Sequence, residues 1–308
     1  MKKDKLSILL EFFAKDQIQN TSEYLKYFKE YIDVLIHVTN SLSESQEQMP
    51  RYKTKIEMLL VKYALTTKTL INLYDGTKLD SKYFPDLTIV DIPSTFVLAR
   101  SLMENYLTIY YLFIESKTNE DILAYRNWIF EMSALCKRQD LGKERDLPPE
   151  IIKKKNEEAN MIEILRSVIE ENLEFQKLNA KEKKKVLNAP NHRVPSKLFS
   201  WTKLFEMSKL SNDIFGKYWK IYSNYAHSEY LSIMQLESLF MNPNNFKVFQ
   251  FQTLKVQVLL ICHLISEVVG LFECTRIRYE EQDSTIKEEI EIWNKIATMS
   301  MGTPATNT

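Results

Sequence analysis

The sequence predicts an all-α fold, built as a single multi-helix globular domain. Apolar residues recur at helical three-and-four spacing, as Tyr24, Tyr27, Phe28 and Tyr31 illustrate. Only five glycines occur in 308 residues, which argues against a fold with many tight β-turns, because such turns need positive φ. The apolar content of 44% is typical of a globular chain and too high for a disordered one.

The first 90 residues are predicted to form N-terminal helices. Thr21 can cap a helix that continues to about Ser41, because its hydroxyl can accept from the free amides of the first turn. Pro50 begins a second helix, since proline is accepted in the first turn. Gly76 ends that helix, because glycine accepts the left-handed backbone common at helix stops.

Prolines, asparagines and charged runs divide the predicted core bundle, residues 91–282, into further helices. Three predicted helices run from about 93 to 115, from 119 to 137 and from 156 to 178. Two more begin at 196 and at 212, and the last runs from 246 to 281. The predicted breaks are 77–92, 140–155 and 189–195. The first is an irregular connection in which only 87–90 has strand character. A C-terminal helix is expected within 283–299, and 300–308 is expected to be a disordered tail.

Charge, cysteine and apolar content limit the classes of function. Lys plus Arg equals Asp plus Glu at 41 each, so no overall field attracts nucleic acid or an anionic membrane. Cys136, Cys262 and Cys274 contain no CxxC pair, which predicts free thiols in a cytoplasmic protein. The apolar stretch 256–272 spans about 25 Å as a helix, less than a bilayer core, and predicts a buried helix. Neither a glycine-rich phosphate loop nor a Glu-x-x-His pair occurs, so no cofactor and no metal are predicted.

Arg100 and Glu104 stand four residues apart in a helix that is apolar nearly all round, so their side chains can meet on one face. Burying these charges costs free energy unless they pair. Two interpretations stay open. The residues form a buried ion pair that fixes helix packing, or Glu104 orients the Arg100 guanidinium as an anion binder, a role suited to its planar fork.

A second polar group lies on one face of a later helix. Lys220, Asn224 and His227 follow i, i+4, i+7 spacing, and Ser223 stands four residues before His227. His227 can act as a general acid or base near neutral pH. The alternative is a hydrogen-bonded histidine at the end of a helix.

Three patterns together resemble a bacterial helical family of unknown function, which is itself similar to the HEPN superfamily of nucleotide-associated and ribonuclease domains. The patterns are Arg100-x-x-x-Glu104, Tyr125-Arg126-x-Trp128 and Tyr222-Ser223-x-x-x-His227, and the resemblance covers roughly residues 90–275. It implies a HEPN-like helical core, metal-independent cleavage of RNA or binding of a nucleotide, and a homodimer, with no membrane partner. The implied catalytic residues are His227, Arg100 and Glu104. The implied substrate-binding residues are Lys220, Ser223, Asn224, Arg126 and Tyr222.

The chain departs from the HEPN pattern at one point. HEPN ribonucleases carry an arginine a few residues before the catalytic histidine, whereas here Lys220 takes the comparable place before His227. Lysine neutralises phosphate without the bidentate fork, which Arg100 could supply from a neighbouring helix. The alternative function is a non-catalytic helical interaction module, in which the Arg/Glu/His cluster is a structural network and an aromatic-rich dimer interface is the active surface.

Overall fold

The computed structural model describes Leu10 and residues 21–45, 49–82, 84–141, 147–188, 200–227, 229–241 and 243–299. These residues form 13 α-helices and one two-stranded hairpin, which confirms the all-α prediction. The predicted tail, 300–308, and the predicted break at 189–195 lie outside the described residues. The helices are α1 Thr21–Glu44, α2 Lys55–Leu73, α3 Ile92–Ile109, α4 Glu120–Leu141, α5 Pro149–Glu171, α6 Leu173–Gln176, α7 Ala180–Leu187, α8 Trp201–Met207, α9 Lys217–Ala226, α10 Tyr230–Met241, α11 Pro243–Val269, α12 Glu273–Glu280 and α13 Ser284–Thr298.

The segment 77–92, predicted as an irregular connection with strand character only at 87–90, is instead a hairpin whose second strand includes 87–89. Strand β1, Thr77–Ser81, pairs antiparallel with β2, Phe84–Ile89. Gly76, just before β1, has φ +85°, and a Cβ there would lie 2.6 Å from the Thr88 side chain. Glycine therefore both ends α2, as predicted, and lets the chain turn closely against the second strand.

Other boundaries differ from the prediction by a turn or more. The predicted helix 246–281 breaks at Gly270 into α11 and α12. The predicted loop 140–155 is shorter, because α4 continues to Leu141 and α5 begins at Pro149. Proline favours the first position of a helix, so Pro149 marks a start here and not a break.

The described residues fold into two compact units. The first unit contains α1, α2, the hairpin, α3 as far as Tyr106, and the chain from Lys209 onward. Its core lies where α11 packs against α1 and α13, and Leu35, Leu264 and Ile290 are fully buried there. The segment Val248–Val269 is long and apolar enough to cross a membrane, but 72% of its most apolar window is buried inside the protein. That degree of burial is typical of a core helix.

Buried polar side chains connect the helices of the first unit. The Tyr31 hydroxyl donates to Glu289 at 2.8 Å, which joins α1 to α13. His263 of α11 contacts Tyr106 of α3 at 2.9 Å through Nε2 and Asn294 of α13 at 2.6 Å through Nδ1. Such bonds fix the relative positions of helices, since breaking one costs a buried polar group a hydrogen bond.

The second unit comprises residues 50–53 and 107–208. Its core lies between α4 and α5, where Met132 and Ile169 are fully buried, and Phe175 of α6 belongs to the same buried cluster. Within this unit, residues 107–109 end α3 and are followed by a π-helical segment, Tyr110–Ile114.

Candidate functional site

Arg100 and Glu104 form the ion pair that their spacing allows. Arg100 Nε donates to Glu104 Oε1 at 3.0 Å, with the two side chains 13% and 34% exposed. The guanidinium carbon lies 5.1 Å from the centre of the Trp219 ring, at the distance of a cation–π contact. The Nη1 atom is buried and has no hydrogen-bond partner among the described residues. The guanidinium thus joins α3 to α9 through a ring and one carboxylate.

Helices α3 and α9 pack antiparallel at this point. The Phe96 ring contacts Tyr222 and Tyr225, with centroids 5.1 and 4.8 Å apart, while Arg100, one turn further along α3, contacts Trp219, one turn earlier on α9. His227 follows Trp219 by eight residues. The helical rise therefore separates these two positions by about 12 Å along α9.

His227 lies at the C-terminal end of α9, where its backbone amide donates to the Ser223 carbonyl at 3.2 Å. Its side chain is exposed and has no described hydrogen bond or ion pair. The structure brings Arg100 and Glu104 together and does not bring His227 into contact with either. The catalytic roles of the three residues stay predictions.

The predicted substrate-binding residues of α9 have different surroundings. Lys220 is exposed, Asn224 is half-buried, and the Ser223 hydroxyl donates to the Trp219 carbonyl at 2.7 Å. Lys217, one turn before Lys220, is also exposed. By helical spacing Lys217, Lys220, Asn224 and His227 follow one stripe of α9. We call these four residues the α9 polar stripe.

Tyr222 points the other way, into a buried group of polar side chains that the sequence reasoning missed. Burial raises the pKa of its phenol, and the neighbouring Thr253 and Gln257 side chains of α11 oppose that rise only in part. All three residues are 0% exposed. The Tyr222 hydroxyl, the Thr253 hydroxyl and both polar atoms of Gln257 nevertheless have no partner with hydrogen-bond geometry among the described residues. The available signal was the i, i+4 spacing of Thr253 and Gln257 in an apolar helix.

Arg126 belongs to the second unit, where it supports the π-helical segment. Its Nη1 donates to the Tyr111 carbonyl at 2.7 Å and pairs with Glu115, and its guanidinium carbon lies 4.4 Å from the centre of the Tyr111 ring. Asn127 donates to the next carbonyl, that of Leu112, at 3.3 Å. A π-helical turn alters the regular backbone hydrogen bonds, and side-chain donors on α4 contact two of its carbonyls here. Substrate binding by Arg126 stays a prediction.

The described residues also bear on metal and small-molecule binding. They contain no group of three His, Cys, Asp or Glu side chains that could hold a metal ion. Two cavities, of about 270 and 250 Å³, lie between α1 and α2 and share Lys68 in their linings. Neither cavity is lined by a predicted site residue.

Helix α10, which follows α9 in the chain, has several large apolar side chains that are exposed. Tyr230 is 74% exposed and Met241 is 86% exposed. We define the α10 surface as the exposed apolar residues of this helix and of the adjoining start of α11. They are Tyr230, Leu231, Ile233, Met234, Met241, Val248 and Phe249. Sequence reasoning missed this surface, because an apolar helix predicts burial when nothing else is known.

Comparison with protein-family models, with curated proteins and with solved structures finds no match to this chain. The resemblance to the HEPN superfamily therefore stays a prediction.

Proposed function

We propose that this protein is a non-catalytic helical interaction module, whose α10 surface docks against another protein. The observation that carries the proposal is the exposure of large apolar side chains along one helix. Soluble monomers rarely expose a contiguous apolar patch above about 300–600 Å² unless the patch has a binding role. The seven side chains of the α10 surface are between 36% and 86% exposed.

In this proposal the Arg100–Glu104 pair has a structural role. The Arg100 guanidinium is largely covered by Trp219 and Glu104, so little of it is available to a ligand. Its contacts hold α9 against α3, and α10 follows α9 after a short connection. The pair therefore supports the position from which α10 presents its apolar side chains.

The test uses a photoactivatable crosslinking amino acid in the full chain, expressed in its native host. Placed at Met234, it is expected to give covalent adducts of discrete mass with protein. The matched control is Ile164 on α5, which is 57% exposed and outside the α10 surface. Equal yields at both positions, no adduct at Met234, or adducts with lipid alone would contradict the proposal.

A second function, binding of single-stranded RNA or a nucleotide phosphate, is supported by the α9 polar stripe. Two exposed lysines and an exposed imidazole along about three helical turns can contact successive phosphates. The paired variant Lys217→Ala and Lys220→Ala should weaken RNA binding and reduce its dependence on salt, measured by fluorescence anisotropy. Lys203→Ala with Lys287→Ala serves as the charge-matched control, and an equal loss in both variants would contradict the stripe as the binding surface. If RNA is cleaved, Arg100 and His227 are its catalytic candidates, and intact activity in both single mutants would eliminate that role.

The proposal extends to the cell compartment, which we take to be the cytoplasm of a bacterium. The described cysteines, Cys136, Cys262 and Cys274, are all free thiols, which suits a reducing compartment.

A further inference from the structure

We infer that the groove between α1 and α2 binds a small organic anion with an alkyl chain, of the class of a medium-chain carboxylate. This site is separate from the α10 surface, so the inference goes beyond the proposed function. The groove consists of the two cavities of about 270 and 250 Å³, which share Lys68 in their linings. Each cavity alone is smaller than the roughly 300–1,000 Å³ of most small-molecule sites, and the two together fall within that range.

The two cavities follow one another along a single pair of helix faces. Their linings extend from Lys29 to Asn40 on α1 and from Val61 to Asn72 on α2, with members at every third or fourth position. That spacing places each set on one face of its helix. Residues 29–33 share a cavity with 68–72, whereas 36–40 share the other with 61–68, so the two helices run antiparallel. The helical rise from residue 29 to 40 gives the groove a length of about 16 Å.

One end of the groove is cationic. Lys29 and Lys68 line the first cavity together with a single carboxylate, that of Asp33, so positive charge is in excess there. Within the described part of the chain, none of these three side chains has an ion pair or a hydrogen bond. Both ammonium groups are therefore available to a ligand, and a lysine attracts an anion as a point charge without demanding a fixed geometry.

The other end of the groove is mainly apolar, with Ile36, Val61, Ala64 and Leu65 in the lining of the second cavity. Ala64 is buried, whereas Leu65 is 62% exposed, so an alkyl chain placed there would cover apolar surface that now faces water. Each methylene that is buried strengthens binding about fourfold. Because Lys68 lines both cavities, one ligand can place its anionic group beside Lys68 and its chain against these apolar residues. The same arrangement repels an alkylamine, whose ammonium would lie among the lysines.

Calorimetric titration of the full chain tests the class of ligand, with octanoate, butyrate and octylamine as probes. Octanoate should bind saturably with a Kd below about 1 mM, a modest affinity for a ligand of this size. Butyrate, which has four methylenes fewer, should bind at least about 20-fold more weakly. Octylamine has a chain of the same length and should not bind. The absence of saturable octanoate binding, or equal binding of octylamine, would overturn the inference.

Charge reversal at Lys68 locates the anionic group of the ligand. Lys68→Glu should weaken octanoate binding about tenfold and should allow octylamine to bind, because the carboxylates in the first cavity then outnumber the ammonium groups. A variant that had merely lost its fold would gain no ligand. The matched control is Lys62→Glu, which is exposed on the same helix and lies outside both linings. Octanoate binding that survives Lys68→Glu, no octylamine binding in that variant, or equal effects in the control would overturn the assignment.

A second pair of variants locates the alkyl chain. Leu65→Ser should weaken octanoate binding about tenfold, because it removes apolar contact from the second cavity. Met58→Ser is the control, since Met58 lies on the same helix, is equally exposed at 62% and lies outside both linings. An unchanged affinity in Leu65→Ser, or an equal loss in the two variants, would overturn the placement of the chain in this groove.

Discussion

Replacing Gln257 by methionine should stabilise the protein. Methionine keeps the length and unbranched shape of the glutamine side chain and removes its two polar atoms. Both atoms are buried and have no hydrogen-bond partner among the residues that the structure describes, and a buried polar atom without a partner costs about 1–3 kcal/mol. Because the hydroxyls of Tyr222 and Thr253 remain beside the new side chain, we expect the free energy of unfolding to rise by about 1 kcal/mol, at the lower end of that range.

Urea unfolding measures this change, and an unaltered slope against urea would show that only stability has changed. The matched control is Gln252→Met on the same helix. Gln252 is exposed and accepts from the Tyr218 hydroxyl at 2.9 Å, so its replacement should change stability by less than about 0.5 kcal/mol. A loss of stability in Gln257→Met would refute the reasoning, because it would show that the Gln257 amide has favourable polar interactions in the native protein.

Three further predictions concern the backbone, the buried network and the thiols. Gly76→Ala should lower the free energy of unfolding by at least about 1 kcal/mol, measured by denaturation, because its φ is +85° and its Cβ would collide with a side chain; an unchanged stability would contradict this. His263→Leu should destabilise by about 2–4 kcal/mol in the same assay, since it removes the ring's bonds to the buried Tyr106 hydroxyl and to the half-buried Asn294. A neutral result would show that the ring bonds contribute nothing. Burial raises the pKa of the Cys136 and Cys262 thiols, so their alkylation should be slow near neutral pH. The rate should increase only when the pH rises above the usual thiol range or when the protein unfolds. Rapid labelling of Cys262 in native protein would contradict its burial.

The sequence predicts the helices well because their signal is local. Three-and-four spacing identifies α1 and α13, and Gly76 is identified as a helix stop by the conformation that only glycine adopts freely. The Arg100–Glu104 contact is predictable for the same reason, since four residues bring two side chains onto one face.

The sequence does not predict features that depend on distant neighbours. Strand character was predicted at 87–90 only; the first strand and its pairing were missed because pairing is a property of two strands, and Pro85 weakens the signal at the start of the second. The buried side chains of Thr253 and Gln257 meet Tyr222 only through the packing of α9 against α11. The exposure of α10 was missed because apolar composition indicates what a helix can bury, and not whether the same chain supplies the covering surface.

The most direct test of the interaction account is photo-crosslinking of the full chain in its native host, with the crosslinking amino acid placed either at Met234 or at the control position Ile164. We expect protein adducts of discrete mass from Met234 and a much lower yield from Ile164, although both side chains are about half exposed. Equal yields at the two positions, or no protein adduct at Met234, would contradict the claim that this apolar helix docks against another protein.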